Sequence, residues 1–254
     1  MIDRMQSPGG GEVVTVSHGR IYEPAPETEG ALSVDNRHYL ERVLRLRPGD
    51  IFTITNGIGR EGTAKLETDG RYRLSTMIEP GREPTVTTTL FAALTKGDRY
   101  EWLIEKAVEL GVTRIVPLIT ARCVMRAPNE GKLDRWRKIA LAAMLQCGGC
   151  CLPIVADPVG MRDMSAPDGD TIALLLHEIP GGGLLARISG PGKKLWVASG
   201  PEGGFDDSEV AQFENRGWKP VWLGKRLFKA DTAPICTLAA LLLPQTSVPQ
   251  TDAK

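Results

Sequence analysis

The sequence predicts an α/β protein, a mostly parallel sheet covered by helices and preceded by a smaller β-rich unit. Three observations predict it. Beyond residue 84, apolar runs alternate with stretches of helical spacing, the pattern of successive βαβ units. Before residue 79, short β segments follow one another with turn residues between them. Finally, the apolar run Leu195-Trp196-Val197-Ala198 leads straight into Ser199-Gly200-Pro201-Glu202-Gly203-Gly204-Phe205. A tight glycine loop at the C-terminal end of a strand lies on the edge where open α/β sheets bind ligands.

The 254 residues suffice for one large domain or two ordinary ones, and 42% hydrophobic with 24% charged residues fits a globular protein with a real core. No apolar run approaches membrane-spanning length and the N-terminus lacks an apolar signal core, so the chain reads as cytoplasmic. Lysine plus arginine equals aspartate plus glutamate, which argues against non-specific coating of nucleic acid. Basic stretches nevertheless stand at residues 36–73, 122–138 and 216–229, the last without any acid. Together they favour an anionic partner. Cys147-Gly-Gly-Cys150 has metal-like spacing, but no second pair or histidine cluster answers it, so no metal is expected.

Residues 1–17 show no period and are expected to be a loose tail. Residues 18–82 form the β-rich unit. Its strands are expected at residues 51–55, ending at the Asn56-Gly57 turn, then at 63–66 and 72–78. One helix interrupts them, capped by Asp35 or Asn36, with Tyr39, Val43, Leu44 and Leu46 as its apolar side. Arg37, Arg42, Arg45 and Arg47 stud the rest, and Pro48-Gly49-Asp50 stops it. The breaker-rich residues 79–84 mark a boundary.

The second unit spans residues 83–246, with a tail at 247–254. Strands are expected at residues 86–94, 114–118, 172–176, 195–198 and 221–223. A helix at 98–110 turns Leu103, Ala107 and Leu110 inward and stops at Gly111. A second, at 132–147, shows Leu133, Trp136, Ala140, Ala143, Met144 and Cys147 at helical spacing. The acid-rich Asp206-Asp207-Ser208-Glu209 suits a third helix start. The last helix starts near Thr232, its expected cap, with Ile235, Leu238, Ala239 and Leu242 inward.

Three late strands each end in a candidate ligand loop: Leu176-His177-Glu178, Gly200 to Phe205, and Leu223-Gly224-Lys225-Arg226-Leu227. The glycine loop lacks the Lys-Ser/Thr of a P-loop, is not Gly-x-Gly-x-x-Gly, and lies late in its unit. A neutral or zwitterionic cofactor held by backbone groups fits better than a triphosphate or a dinucleotide.

These residues carry a resemblance. Arg37-His38-Tyr39-Leu40, Val43-Leu44-Arg45-Leu46-Arg47-Pro48-Gly49-Asp50, Lys96-Gly97-Asp98-Arg99, Glu101-Trp102-Leu103-Ile104-Glu105-Lys106-Ala107, residues 200–205 and residues 223–233 together resemble the RsmE family of small-subunit (16S) ribosomal RNA uridine-N3 methyltransferases. The resemblance implies a SPOUT-type methyltransferase domain with a trefoil knot, preceded by a PUA-like β-barrel. It also implies S-adenosyl-L-methionine as cofactor, a homodimer, and small-subunit ribosomal RNA or the assembled subunit as substrate. Carried over by position, the cofactor-binding residues are Leu176, His177, Gly200, Pro201, Glu202, Gly203, Gly204, Leu223, Gly224 and Leu227. The chain departs from the family pattern at Lys229, where the resemblance implies arginine, and at Ala142, Leu145 and Gly149, where it implies two glutamates and an arginine.

Methyl transfer to uracil N3 needs in-line placement and removal of the N3 proton, with negative charge spreading onto the two uracil oxygens. Arg226 and then Lys229 are the expected stabilisers of that charge. Asp231 is expected as general base or as helix cap, and Glu202 as a residue that orders the glycine loop. Arg37, Arg42, Arg45, Arg122 and Arg126 are the expected RNA phosphate contacts, which position the RNA without selecting its sequence. The competing readings are a catalytically silent RNA-binding member acting in ribosome assembly, and a methyltransferase for another RNA uridine.

Overall fold

Residues 19–125, 127–178, 183–184 and 194–243 are described by the computed structural model of the chain. The expected tails at 1–17 and 247–254, and Arg126, lie outside the described residues. The contacts divide the chain into two units, Met1–Pro80 and Gly81–Lys254.

In the first unit, β1 (Arg20–Tyr22), β2 (Glu29–Ala31), β3 (Ile51–Thr55), β4 (Glu61–Leu66) and β5 (Arg71–Leu74) form one curled sheet in the order β1-β3-β4-β5-β2. β1 runs parallel to β3 and the other pairs are antiparallel. Alternation decides which side is wet. Along β4, Gly62, Ala64 and Leu66 are buried while Thr63 and Lys65 are exposed. The buried set closes a small core of Ile21, Leu40, Phe52, Ile54, Ala64, Leu66, Tyr72 and Leu74. The last expected strand is shorter than residues 72–78, because only an isolated bridge at Ile78 pairs beyond Leu74.

The helix of this unit departs from its expected face. It opens as α1 (Val34–His38) with Ser33 as cap, whose Oγ accepts from Asn36 N at 3.2 Å. Asn36 is drawn inward instead, its Nδ2 donating to the Tyr22 carbonyl. The next turn, Tyr39–Val43, is a π-helix, in which Leu44 N–H donates to the carbonyl of Tyr39 five residues back. The widened turn shifts the register of the faces. Leu40 becomes fully buried, Tyr39 and Val43 point outward, and only Leu44 and Leu46 of the expected apolar side reach the core. Arg45 then closes the segment at φ +59°, a left-handed conformation unusual for a residue with a Cβ.

The second unit is built on an all-parallel sheet. Its strands are β6 (Thr87–Ala93), β7 (Arg114–Ile119), β8 (Ile154–Val155), β9 (Val159–Gly160), β10 (Thr171–Leu176), β11 (Gly183–Leu184), β12 (Lys194–Ser199) and β13 (Lys219–Trp222). Among the described residues the order is β11-β13-β10-β12-β6-β7-β8, with β9 also on β7. Register places Leu90, Ile115, Leu174 and Val197 on one face and Phe91, Val116, Leu175 and Ala198 on the other. All eight side chains are buried, as expected of strands covered on both sides.

The second of those faces carries an aromatic cluster. Phe91, Phe205, Phe213 and Trp218 are buried there, with neighbouring ring centroids 5.0–5.5 Å apart. Phe213 belongs to α4 (Asp207–Asn215). Elsewhere in the unit, α2 (Arg99–Glu109) packs against α3 (Glu130–Cys147), and α5 (Thr232–Leu242) packs against α2 and β12. Tyr100 and Trp136, 4.4 Å apart, join α2 to α3. Burial raises the Tyr100 hydroxyl pKa well above its ordinary value.

The helix ends explain the remaining differences. α3 starts at Glu130, two residues ahead of the expected start, with Asn129 as its cap, whose Oδ1 accepts from Lys132 N. Cys147, at its last turn, is exposed, and Leu110 is only half-buried at the end of α2. Asp231, not Thr232, holds the cap position of α5. The buried side of α5 is Pro234, Thr237, Leu238, Leu241 and Leu242, so Ile235 and Ala239 of the expected inward face stay half-buried.

Candidate cofactor site

β13, β10 and β12 are neighbours, so their C-terminal ends open side by side. Leu176 pairs with Ser199 on one flank and Val221 on the other, and His177 N donates to the Val221 carbonyl at 3.0 Å. The loops that leave these ends surround a cavity of about 630 Å³, within the range of small-molecule sites. Leu176, His177, Gly200, Pro201, Glu202, Gly203, Gly204, Leu223, Gly224 and Leu227 all line it, as do Arg226 and Lys229.

The glycine loop is shaped by backbone. Gly204 N donates to the Pro201 carbonyl at 2.9 Å, closing a turn, and Gly204 sits at φ +68°. A Cβ on Gly200 would come within 3.2 Å of both the Phe205 ring and its backbone nitrogen. Glycine is therefore favoured by the close approach at one position and by the dihedral at the other. Glu202 Oε1 accepts from Lys96 N at 3.1 Å and so ties the loop to the segment after β6. Phe205, 3% exposed, anchors the far end in the aromatic cluster. Behind it, Asp206 and Glu209 form a reciprocal capping box at the start of α4. Hydrogen bonds from Glu209 N and then from Ser208 hold the Asp206 carboxyl below its ordinary range.

The wall is mixed. Leu176, Val221, Leu223 and Leu227 supply apolar surface, while Arg99, Arg122, Arg226 and Lys229 outnumber Glu178 and Glu202. Asp231 is not among the lining residues. It is nearly buried, makes no side-chain cap bond, accepts from Thr232 Oγ1 at 3.2 Å, and lies 4.0 Å from Arg99 Nε.

Two expected phosphate contacts are otherwise occupied. Arg37 Nε donates to both Glu41 carboxylate oxygens at 3.1 Å, one helical turn away, and its Nη1 reaches the Asp69 carbonyl at 3.4 Å. Arg122 Nη1 donates to the carbonyls of Gly203 at 2.8 Å and Phe205 at 3.2 Å. Arg42 and Arg45 are exposed. Arg99, of the Lys-Gly-Asp-Arg motif, also lines the cavity without having been expected there, and Glu209, expected only as a helix-start acid, holds Ala121 N behind the loop.

Among the described residues no group of histidine, cysteine and carboxylate side chains could hold a metal ion. Cys150 is buried, while burial, Glu83 and Cys150 push the Cys151 thiol up to about 11. No helix of the described residues is long and apolar enough to cross a membrane.

Comparison with known proteins agrees with this geometry. An RNA methyltransferase domain family matches residues 82–242, and an RNA methyltransferase PUA domain family matches residues 32–74. Ribosomal RNA small subunit methyltransferase E of Synechocystis sp. is 35% identical over 223 residues, covering 85% of this chain and 73% of that relative. The Rickettsia conorii protein of the same name is 29% identical over 240 residues, covering 90% and 96%. A crystal structure of the Neisseria gonorrhoeae enzyme of that name, bound to S-adenosyl methionine, aligns with a TM-score of 0.79 at 31% identity, covering 87% of this chain and 95% of that one.

Proposed function

Because this chain belongs to the RNA methyltransferase family of ribosomal RNA small subunit methyltransferase E, we propose that it methylates uridine N3 in 16S ribosomal RNA, using S-adenosylmethionine. The observation that carries the reading is the cavity at three adjacent strand ends, walled by a glycine loop whose backbone is open to a ligand. The residues present fit that cofactor. Leu176, Leu223 and Leu227 offer apolar surface to a flat heterocycle. Gly200, Gly203, Gly204 and Gly224 let the loop backbones approach a ligand with no Cβ in the way. Glu202 orders the loop by accepting from Lys96 N.

When bound, S-adenosylmethionine supplies a methyl group already activated by its sulfonium. The chain's own work is then to orient the uracil and to manage one proton and one developing charge. Arg226 and Lys229, both on the cavity wall, are the proposed donors to the uracil oxygens, where negative charge grows as N3 loses its proton. Asp231 is the proposed proton acceptor. It stands outside the cavity lining, where its carboxylate makes no cap bond, accepts from Thr232 Oγ1 and lies 4.0 Å from Arg99 Nε, so reaching N3 would require it to turn toward the cavity. Exposed Arg42 and Arg45 are the proposed phosphate contacts of the first unit.

The proposed substrate form is the assembled small subunit, and the proposed setting is the cytoplasm. A homodimer is supported by the apolar residues Ile235 and Ala239, which α5 leaves only half-buried.

The test is transfer of labelled methyl from S-adenosylmethionine to unmethylated small subunits, naked small-subunit RNA and transfer RNA, followed by nucleoside mass analysis. 3-Methyluridine from the subunits is the expected product. Methyl transfer only to transfer RNA would change the substrate, and cofactor binding without any transfer would make the protein a silent RNA binder. Arg226→Ala is expected to lose turnover while still binding cofactor; full turnover would remove Arg226 from the mechanism.

A further inference from the structure

We infer that Arg122 and Glu209 form a two-sided clamp on the glycine loop, making both positioning residues for cofactor binding and taking Arg122 out of the set that contacts RNA. The inference rests on the cofactor reading of the cavity and goes beyond it in naming what holds the loop's shape.

Two consecutive residues after β7 grip the loop. Ala121 N donates to Glu209 Oε1 at 2.7 Å, while Glu209 Oε2 accepts from Asp206 N at 3.0 Å. One carboxylate, only 4% exposed, thus joins the β7 segment to the loop's exit. The next residue, Arg122, reaches the loop's other side. Its Nη1 serves the carbonyls of Gly203 and Phe205, and its stem lies 3.4 Å from the place a Cβ of Gly203 would occupy. Arg122 therefore fixes the carbonyls at 203 and 205, and the Glu209 carboxylate that Ala121 N holds fixes the amide at 206.

The chemistry of each side chain suits the task. Burying a carboxylate is costly unless hydrogen bonds satisfy it, and here two backbone N–H groups do so. A glutamine of the same size offers one acceptor oxygen and one NH₂, so one of the two N–H groups would face a donor. A guanidinium is rigid, planar and always charged, and it can bridge two carbonyls where an ammonium on a flexible stem holds them less firmly. Gly203 and Gly204 line the cavity directly, so their orientation is part of the ligand's surface.

The experiment is calorimetric titration of the full chain with S-adenosylmethionine, for wild type, Glu209→Gln, Arg122→Ala and Arg122→Lys, with hydrogen exchange on the same proteins. The expected result is about tenfold or greater loss of affinity in Glu209→Gln and Arg122→Ala, with partial rescue in Arg122→Lys. Amide exchange is expected to speed up at residues 200–206 while the β6 and β12 amides stay protected. The salt dependence of RNA binding is expected to be unchanged in Arg122→Ala. Unchanged cofactor affinity with a salt slope reduced by about one unit would return Arg122 to the phosphate contacts and overturn the clamp. Faster exchange spread evenly over the whole sheet would overturn it too, since that marks general destabilisation. No binding by wild type would remove the cofactor reading itself, a failure distinguishable from variants that bind as wild type does.

Discussion

The two units bury their strands differently, and the difference decides where each can keep a functional group. In the first, β4 and β5 alternate buried and exposed residues, so half of each strand faces outward. In the second, β6 is buried at every position after its first, and β7, β10 and β12 are buried over most of their middle positions. A sheet wet on one face can display side chains along its surface. A sheet covered on both faces can expose chemistry only at its ends. The first unit accordingly carries exposed arginines, and the second gathers its chemistry in one cavity beyond β10, β12 and β13.

Core truncation gives the strongest test of that contrast. Phe213→Ala removes the ring against which Phe205 and Trp218 pack and is expected to cost about 3–5 kcal/mol in denaturant unfolding. Because Phe205 anchors the glycine loop, cofactor affinity is expected to fall with it. Phe52→Ala, in the core of the first unit, is expected to cost a similar amount without changing cofactor affinity in folded protein. Equal effects of both on calorimetric affinity would dissolve the distinction.

Next in size is Gly204→Ala. A side chain at φ +68° is expected to cost about 1–2 kcal/mol of stability and to weaken S-adenosylmethionine binding. Unaltered affinity would mean that the loop's geometry is unimportant to the ligand. The first unit offers the counterpart at φ +59°, where Arg45 bears a similar strain. Arg45→Gly relieves it but adds chain entropy to the unfolded state, so stability is expected to change by less than about 1 kcal/mol. RNA affinity is expected to fall, with a shallower salt slope. An unchanged slope would make Arg45 ordinary surface.

The smallest effect concerns pH. Hydrogen bonds hold the Asp206 carboxyl below its ordinary value of 3.8. A depressed value in the folded state stabilises above the unfolded value and is lost as pH falls through the folded one. The melting temperatures of wild type and Asp206→Ala should therefore differ at neutral pH and converge as pH falls below the ordinary aspartate value of 3.8 and on through the lower folded one. A constant gap across that range would show that the ionised carboxylate contributes nothing.

Much of this was legible in the chain. Apolar runs located β3, β6, β7, β10 and β12, and Gly200 to Gly204 marked the loop that lines the cavity. Local chemistry also located α4, because the Asp206–Glu209 box needs no distant partner. The sequence does not reveal partners that lie far away in the chain, nor faces set by an irregular turn. The face of residues 39–46 could not be read, because a π turn replaces the 3.6-residue period that the reading assumed. Arg37 and Arg122 looked alike as surface cations, yet one is held by Glu41 and the other by carbonyls 81 and 83 positions away.

What the sequence determined by itself is therefore the alternation of elements, their buried sides wherever the helical period is regular, and the presence of a backbone-lined loop at a strand end. Those follow from interactions within a few residues and from the partition of side chains between water and core. Tertiary structure alone decided that β13, β10 and β12 stand side by side, that Glu209 reaches Ala121, and that Arg99 lies beside Asp231. Each of these joins segments far apart in the chain, and hydrogen-bond or charge partners at such distances leave no period in the sequence from which they could be read.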